Sequence, residues 1–283
     1  GGGLYGPANE IYLKVGDKTI PLSGKWKYKV SASNSDFDFV EYGPNAYPSL
    51  LYNAMVNPLV GLSMQGVIWY QGENNTNRAK EYYHLFPAMI NDWRKKWGKD
   101  FPFYWVQLAN YMDVVEVPSE SLWAQVREAQ TQTLSLSHTG QAVIIDIGEA
   151  KDIHPKNKQE VGRRLALHAL HNDYGFSDVV CESPMPKTVR RVQDKIVVQF
   201  DNVADGLIVK NKYGYLMSFA VAGNDGVYKW VQAKVAGKDR VVLSCPDVID
   251  PVSVRYAWGD NPDDANLYNS VGLPATPFEI KIE

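Results

Sequence analysis

The stretch Ala142-Val-Ile-Ile-Asp-Ile-Gly-Glu-Ala-Lys-Asp-Ile-His-Pro155 decides the fold. Ala142 to Ile145 reads as a buried strand that runs on to Ile147, and Pro155 reads as the opening residue of a helix. The chain therefore turns sharply at the carboxyl end of a strand, where open α/β sheets place their chemistry. Asp152 and His154 stand one residue apart, so both side chains can leave the same face of the loop. A carboxylate at one imidazole nitrogen fixes the tautomer and leaves the other nitrogen free to accept a proton. The same residues also fit a plainer role, because Asp and His ahead of a helix-opening proline are common turn and capping residues.

Moving upstream, Val67 to Tyr70 reads as a compact strand. Residues 79 to 97 read as an amphipathic helix, with Tyr82, Leu85, Phe86, Met89, Ile90 and Trp93 at helical spacing. Phe103 to Leu108 reads as the next strand and Leu122 to Leu136 as the next helix, and Pro155 to His171 closes the pattern. Strand and helix in strict alternation imply a parallel sheet with right-handed crossovers. Earlier still, residues 10 to 30 alternate like strands around a Gly16-Asp17 turn, with Trp26, Tyr28 and Val30 continuing the period. Ser31 to Pro48 reads as a linker and Tyr52 to Leu62 as a short helix.

Downstream of Gly175 the pattern changes. Ile196 to Phe200, Met217 to Val221, Val241 to Leu243 and Val252 to Tyr256 are short alternating runs punctuated by Gly, Asn-Asp-Gly and Pro, the pattern of an antiparallel β-sandwich-like unit. The expected plan is a β-meander over 1–44, an α/β domain over 45–181 and a β-rich domain over 182–283.

The 283 residues are 45% hydrophobic and 22% charged, enough to bury a substantial core, and carry a formal net charge of -3. That balance gives no electrostatic case for nucleic acid or an anionic membrane surface as a partner. No apolar run approaches the length of a membrane span, and no signal peptide precedes Leu4. The two cysteines, Cys181 and Cys245, leave a disulfide and buried thiols both open.

A second polar turn, Gln71-Gly72-Glu73-Asn74-Asn75, follows the strand at Val67. In a parallel sheet it faces the same crevice as Asp152 and His154. The Gly72 amide and the Gln71 carboxamide suit a developing oxyanion, with Asn74 beside them as a substrate-binding candidate. The plainer alternatives are that Gly72 satisfies a positive φ and Gln71 caps the next helix. Glu73 is expected to pair with an arginine such as Arg127. His84, His138, His168 and His171 read as structural, with no carboxylate at hydrogen-bonding spacing.

Several segments together resemble one family. They include Tyr52-Asn-Ala-Met55, Gly66-Val-Ile-Trp-Tyr-Gln-Gly-Glu-Asn-Asn75, Asp92-Trp-Arg94, Arg127-Glu-Ala-Gln130, Asp152-Ile-His-Pro155, Arg255-Tyr-Ala-Trp258 and Asn266-Leu-Tyr-Asn269. The chain is similar to the sialate O-acetylesterases of the SGNH hydrolase superfamily from about Leu4 onward. The resemblance implies a three-layer, flavodoxin-like parallel sheet and removal of acetyl esters from sugar hydroxyls without metal or organic cofactor. It further implies His154 as general base, Asp152 as its orienter, Gln71 and Gly72 at the oxyanion, and a secreted or periplasmic location.

The family's nucleophilic serine stands in a Gly-Gln-Ser-Asn type motif that these residues do not contain. Ser63 precedes a strand, whereas a nucleophile elbow follows one, so it reads as a surface turn residue. The expectation is therefore an incomplete sheet that needs the missing N-terminal segment, or a second copy of itself, at an open edge. Two other classes stay open. One is a metal-dependent hydrolase using Asp146, Glu149, Asp152 and His154, a poor zinc set. The other is a non-catalytic carbohydrate-binding module with Trp69, Trp105 or Trp258 as stacking platforms.

Overall fold

The structure, a computed structural model, describes residues 6–27, 29, 43 and 47–283. By contact the chain divides into two compact units, Gly1–Leu59 and Val60–Glu283.

In the first unit, β1 (Tyr12–Val15) pairs antiparallel with β2 (Lys18–Pro21) around the expected turn, with Val15 opposite Lys18. Tyr12, Leu13, Val15 and Ile20 are all exposed. Tyr28, Val30 and most of the linker lie outside the described residues. The expected helix from Tyr52 to Leu62 is instead one π-helical turn, Tyr52–Val56, followed by a 3-10 turn, Asn57–Leu59. Pro58 explains the break, since it has no N–H to donate and its ring clashes with the preceding turn.

In the second unit, β3 (Val67–Trp69), β4 (Phe103–Val106) and β5 (Thr139–Ala142) form a parallel sheet in chain order, with Trp69 opposite Trp105 and Val106 opposite Ala142. Alternation along β4 sorts its side chains to two faces. Phe103 and Trp105 join Tyr82, Phe86 and Ile90 of α1 (Ala79–Trp97) and Trp123, Val126 and Ala129 of α2 (Leu122–Gln132). Tyr104 and Val106 join Val161 and Leu165 of α3 (Lys158–Asn172). The left-handed Gly98 stops α1, and the Ser121 hydroxyl caps α2 by accepting from the Ala124 amide.

Several boundaries differ from the expectation: the second strand ends at Val106 and not at Leu108, and the second helix gives way after Gln132 to a 3-10 turn, Thr133–Ser135. The third strand ends at Ala142 instead of running to Ile147, although Val143, Ile144 and Ile145 are all buried. Past Ala142 the run bridges two cores. Ala142 and Ile144 pack on the α3 side, whereas Val143 and Ile145 pack into the core of the C-terminal sheets. Burial continues where the hydrogen-bond ladder has stopped. The third helix opens at Lys158 and not at Pro155, because Asn157 is its cap and its Oδ1 accepts from the Glu160 amide at 3.1 Å.

The C-terminal part is antiparallel throughout. One sheet has β6 (Met185–Val192), β7 (Lys195–Asp201), β11 (Gln232–Ala236) and β12 (Arg240–Ser244) in the order β11-β12-β7-β6. The other has β9 (Phe219–Ala222), β10 (Tyr228–Trp230), β13 (Ser253–Tyr256) and β15 (Phe278–Lys281) in the order β10-β9-β13-β15. The short pair β8 (Leu207–Val209) and β14 (Leu267–Asn269) stands apart. Ile196, Val198, Val241 and Leu243 from one sheet share a core with Phe219, Val254, Tyr256 and Phe278 from the other. Cys181 and Cys245 are separate buried thiols, and burial pushes the Cys181 pKa up to about 11. No helix among the described residues is long and apolar enough to cross a membrane.

Candidate active site

The turns that follow β3, β4 and β5 leave from the carboxyl end of the parallel sheet, and those after β3 and β5 carry Gln71, Gly72, Asn74, Asp152 and His154. After β5, the segment from Val143 to Asn157 folds back on itself through a bridge between Glu149 and Asp152. The Asp152 Oδ1 accepts the His154 backbone N–H at 2.9 Å, a turn that draws the two residues together. His154 is exposed, and among the described residues its ring makes no hydrogen bond or ion pair. Its expected bond to the Asp152 carboxylate is thus not formed by the ring. The backbone amide occupies Oδ1, and Oδ2 has no hydrogen bond among the described residues.

The loop is held from behind. Gly148 donates its amide to Asn110 Oδ1 at 2.7 Å, and Asn110 Nδ2 donates to Asn261 Oδ1 at 2.9 Å. A Cβ on Gly148 would collide with the Asn110 carbonyl oxygen, so only glycine allows this approach. The Met112 amide donates to the Ala150 carbonyl at 3.0 Å, and Asn261 Nδ2 reaches the Met112 carbonyl at 2.7 Å. The loops after β4 and β5 and the turn near Asn261 are therefore one hydrogen-bonded assembly.

Two of the four candidate metal ligands are engaged by cationic side chains. Asp146 receives both terminal nitrogens of the buried Arg164, at 2.6 and 2.9 Å, and Glu149 pairs with Lys156 at 2.8 Å. Arg164 also binds Glu160, whose pKa falls to about 2 because Arg163 and Arg164 both donate to it.

After β3, Gly72 is buried at φ 152°, and a Cβ there would lie 3.2 Å from both Gln130 Nε2 and Leu108 Cδ2. Gln71 donates to Asn75 Oδ1 at 2.7 Å and accepts from the Tyr82 hydroxyl at 3.2 Å, which leaves one amide proton uncommitted. Asn74 is exposed, and its side chain has no hydrogen bond among the described residues. Tyr70, just ahead of the turn, has its pKa pushed up to about 12 by burial and by the Glu73 charge. Ile153, between Asp152 and His154, packs against the cluster that contains Leu108 and Tyr82. A Cβ on Gly72 would meet those two members of it, so both sequence elements border the same hydrophobic cluster.

Three expectations are overturned. Glu73 does not pair with Arg127. That guanidinium is fully buried and donates to the carbonyls of Leu108, Ala109, Gly259 and Asp260, so its positive charge is met by carbonyl dipoles instead of a carboxylate. Burial pushes its pKa down to about 9. None of the three tryptophans offers an open face. Trp105 is fully buried, Trp258 is nearly so, and Trp69 packs edge-on to Trp93 at 5.8 Å. His138 does have a carboxylate, Asp100, at 3.4 Å, but it precedes β5 at the opposite end of the sheet. Ser63 is exposed and also lies at that opposite end, ahead of β3.

Asn110, Asn261 and Gly148 were missed in the sequence, and the capping pair Asn157-x-x-Glu160 was readable there.

Comparison with known proteins decides the family. Residues 35–171 match the family described as carbohydrate esterase, sialic acid-specific acetylesterase. The chain belongs to this family. Human (Homo sapiens) sialate O-acetylesterase is 31% identical over 264 residues, covering 83% of this chain and 49% of its own length. The Rattus norvegicus sialate O-acetylesterase is 31% identical over 278 residues, covering 86% of this chain and 50% of its own. The chain thus spans about half the length of these curated relatives. The crystal structure of a carbohydrate acetylesterase from Xanthomonas citri superposes with a TM-score of 0.78 at 45% identity, covering 83% of this chain and 55% of that one. Like that structure, the fold is mixed α/β, with one parallel sheet and several antiparallel ones.

Proposed function

We propose that the chain is the base-bearing portion of a serine-type carbohydrate acetylesterase, and that the nucleophilic serine comes from outside these residues. One observation carries the reading. Ile153, between Asp152 and His154, packs against the same hydrophobic cluster whose members Leu108 and Tyr82 flank Gly72.

In this mechanism one imidazole nitrogen of His154 takes the serine proton as the serine oxygen attacks the acetyl carbonyl. Asp152 Oδ2 stabilises the resulting imidazolium. The Gly72 amide and the uncommitted Gln71 proton face the oxyanion, and Asn74 meets the sugar. Collapse returns the proton from His154 to the departing sugar hydroxyl, and water then releases acetate by the same steps in reverse order. The chemistry needs no metal, in keeping with Asp146 and Glu149 being held by Arg164 and Lys156.

The same proposal covers the layering, the domain plan and the partner. Residues 45–181 would be part of a three-layer SGNH domain and 182–283 a β-sandwich. Ile68, in the middle of the edge strand β3, is 71% exposed. That supports pairing with a strand-bearing upstream segment or a second copy. A secreted or periplasmic setting follows from the substrate class.

The test is hydrolysis of p-nitrophenyl acetate by the chain alone, by the chain mixed with the upstream segment of its gene, and by that mixture carrying His154→Ala. Activity confined to the unmutated mixture supports the reading. Activity in the isolated chain, or unchanged activity with His154→Ala, overturns it.

A further inference from the structure

A depression of about 280 Å³ opens between the loop after β4 and the C-terminal sheets, bounded by Val114, Glu116, Met217, Trp230, Trp258 and Asp264. It is built differently from a core void. Trp230 is 43% exposed, and its indole N–H is fixed to the Glu116 carbonyl at 2.9 Å, so the ring is held as a preset wall. Trp258 is almost wholly buried, and its indole N–H has no acceptor among the described residues. Clefts that pair rigid aromatic walls with a few polar groups are the usual form of small-ligand sites. An aromatic face beside hydrogen-bonding groups also suits the alternating C–H and O–H surface of a sugar ring.

Charge narrows the ligand. Among the residues lining this depression, Glu116 and Asp264 are the ionisable ones, and both are acidic. Carboxylates accept sugar hydroxyl protons readily but repel an anionic sugar. A second, wider depression of about 740 Å³ shares Leu216, Met217, Trp230 and Val231 with the first. It continues past Tyr215, which is 68% exposed, and its charged lining is Lys195 and Lys234, so the paired hollow sets two ammonium groups against two carboxylates and carries no net charge of its own. Two adjoining hollows astride one exposed indole fit a chain of sugar units better than a single one.

The loop that carries Val114 to Glu116 leaves Met112, whose amide binds Ala150 in the His154 loop and whose carbonyl binds Asn261, another residue lining the hollow. We infer that this paired hollow is a binding site for a neutral oligosaccharide, running away from the His154 loop across Trp230 toward Tyr215. The inference rests on the esterase reading only for its use, as the hold on the glycan that bears the ester.

The test is isothermal titration of the 283-residue chain with cellohexaose, xylohexaose and mannohexaose as neutral probes and with an α2,8-linked sialic acid trimer as the anionic one. Saturable binding of at least one neutral hexamer, weakened tenfold or more by Trp230→Ala and severalfold by Tyr215→Ala, supports the site. If Trp230→Ala loses its cooperative unfolding transition, Tyr215→Ala decides, because that exposed ring can be truncated without touching the core. No binding of any neutral probe, tighter binding of the sialic acid trimer, or affinity unchanged in the deciding variant overturns the inference. The measurement needs no turnover. Its failure therefore leaves ester hydrolysis standing, and loss of ester hydrolysis leaves the binding result standing.

Discussion

Arg127→Met removes every donor of the buried guanidinium while keeping an unbranched side chain of similar reach. The native guanidinium donates to four carbonyls, those of Leu108, Ala109, Gly259 and Asp260, at 2.6 to 2.9 Å. Two of these keep another donor in the variant, since the Trp123 indole reaches Ala109 O at 2.8 Å and the Tyr111 amide reaches Asp260 O at 3.2 Å. Leu108 O and Gly259 O have no second donor among the described residues. A buried acceptor left unpaired costs ~1–3 kcal/mol, so the two together cost about 2–6 kcal/mol. Relief of the cation's own desolvation, the cause of its lowered pKa, draws the net loss toward the lower half of that range. Urea unfolding followed by tryptophan fluorescence measures it, as a lower midpoint at unchanged slope. Arg127→Lys should fall between the two, because one ammonium cannot reproduce the planar fork. A loss below about 1 kcal/mol for Arg127→Met would mean that the orphaned carbonyls relax to water and that Arg127 does not fix these loops.

Two further stability predictions follow from buried polar groups. His168 donates from Nε2 to the Gln141 carbonyl at 3.1 Å and stacks on Tyr104, and desolvation lowers its pKa from 6.5 to about 4. The folded chain thus prefers the neutral ring, so its stabilising contribution is complete above pH 6.5 and is lost as pH falls toward 4, by about 3 kcal/mol. Urea midpoints at pH 7 and pH 4.5 should converge in His168→Gln; an equal drop in both proteins would place the acid sensitivity elsewhere. Removing one member of the Asp146–Arg164 pair, by Asp146→Asn or Arg164→Met, should cost ~3–5 kcal/mol, since it strands a buried charge. The double variant should lose clearly less than the two added together, and strict additivity in that cycle would show the pair to be uncoupled.

What could be read from the sequence, and what could not, divides along a physical line. Apolar periodicity located α1 to its observed ends, because Tyr82, Phe86 and Ile90 repeat on one face and Gly98 ends it. It also found the antiparallel sheets of the C-terminal part, where alternation and turn residues agree. The carboxyl-edge placement of Asp152, His154, Gln71 and Gly72 followed from strand order alone. Hydrophobicity reports burial, however, and not hydrogen-bond pairing. Val143 to Ile145 therefore looked like a strand, although the ladder had already ended at Ala142 and the run was joining two cores.

Polar partners were the least legible, since a side chain that bonds to backbone leaves no complementary residue in the sequence. Arg127 suggested a carboxylate and found four carbonyls, one pair just past β4 and the other more than 130 residues downstream. The Asn110–Asn261 bond spans 151 residues in the same way. Both connections tie the edge of the parallel sheet to the turn after β13, and through Met112 and Ala150 they reach the loop that carries His154. The geometry of the proposed base therefore depends on residues in the β-rich part of the chain. Changes near Gly259 to Asn261 should consequently alter ester hydrolysis without touching the Asp152-Ile153-His154 sequence itself.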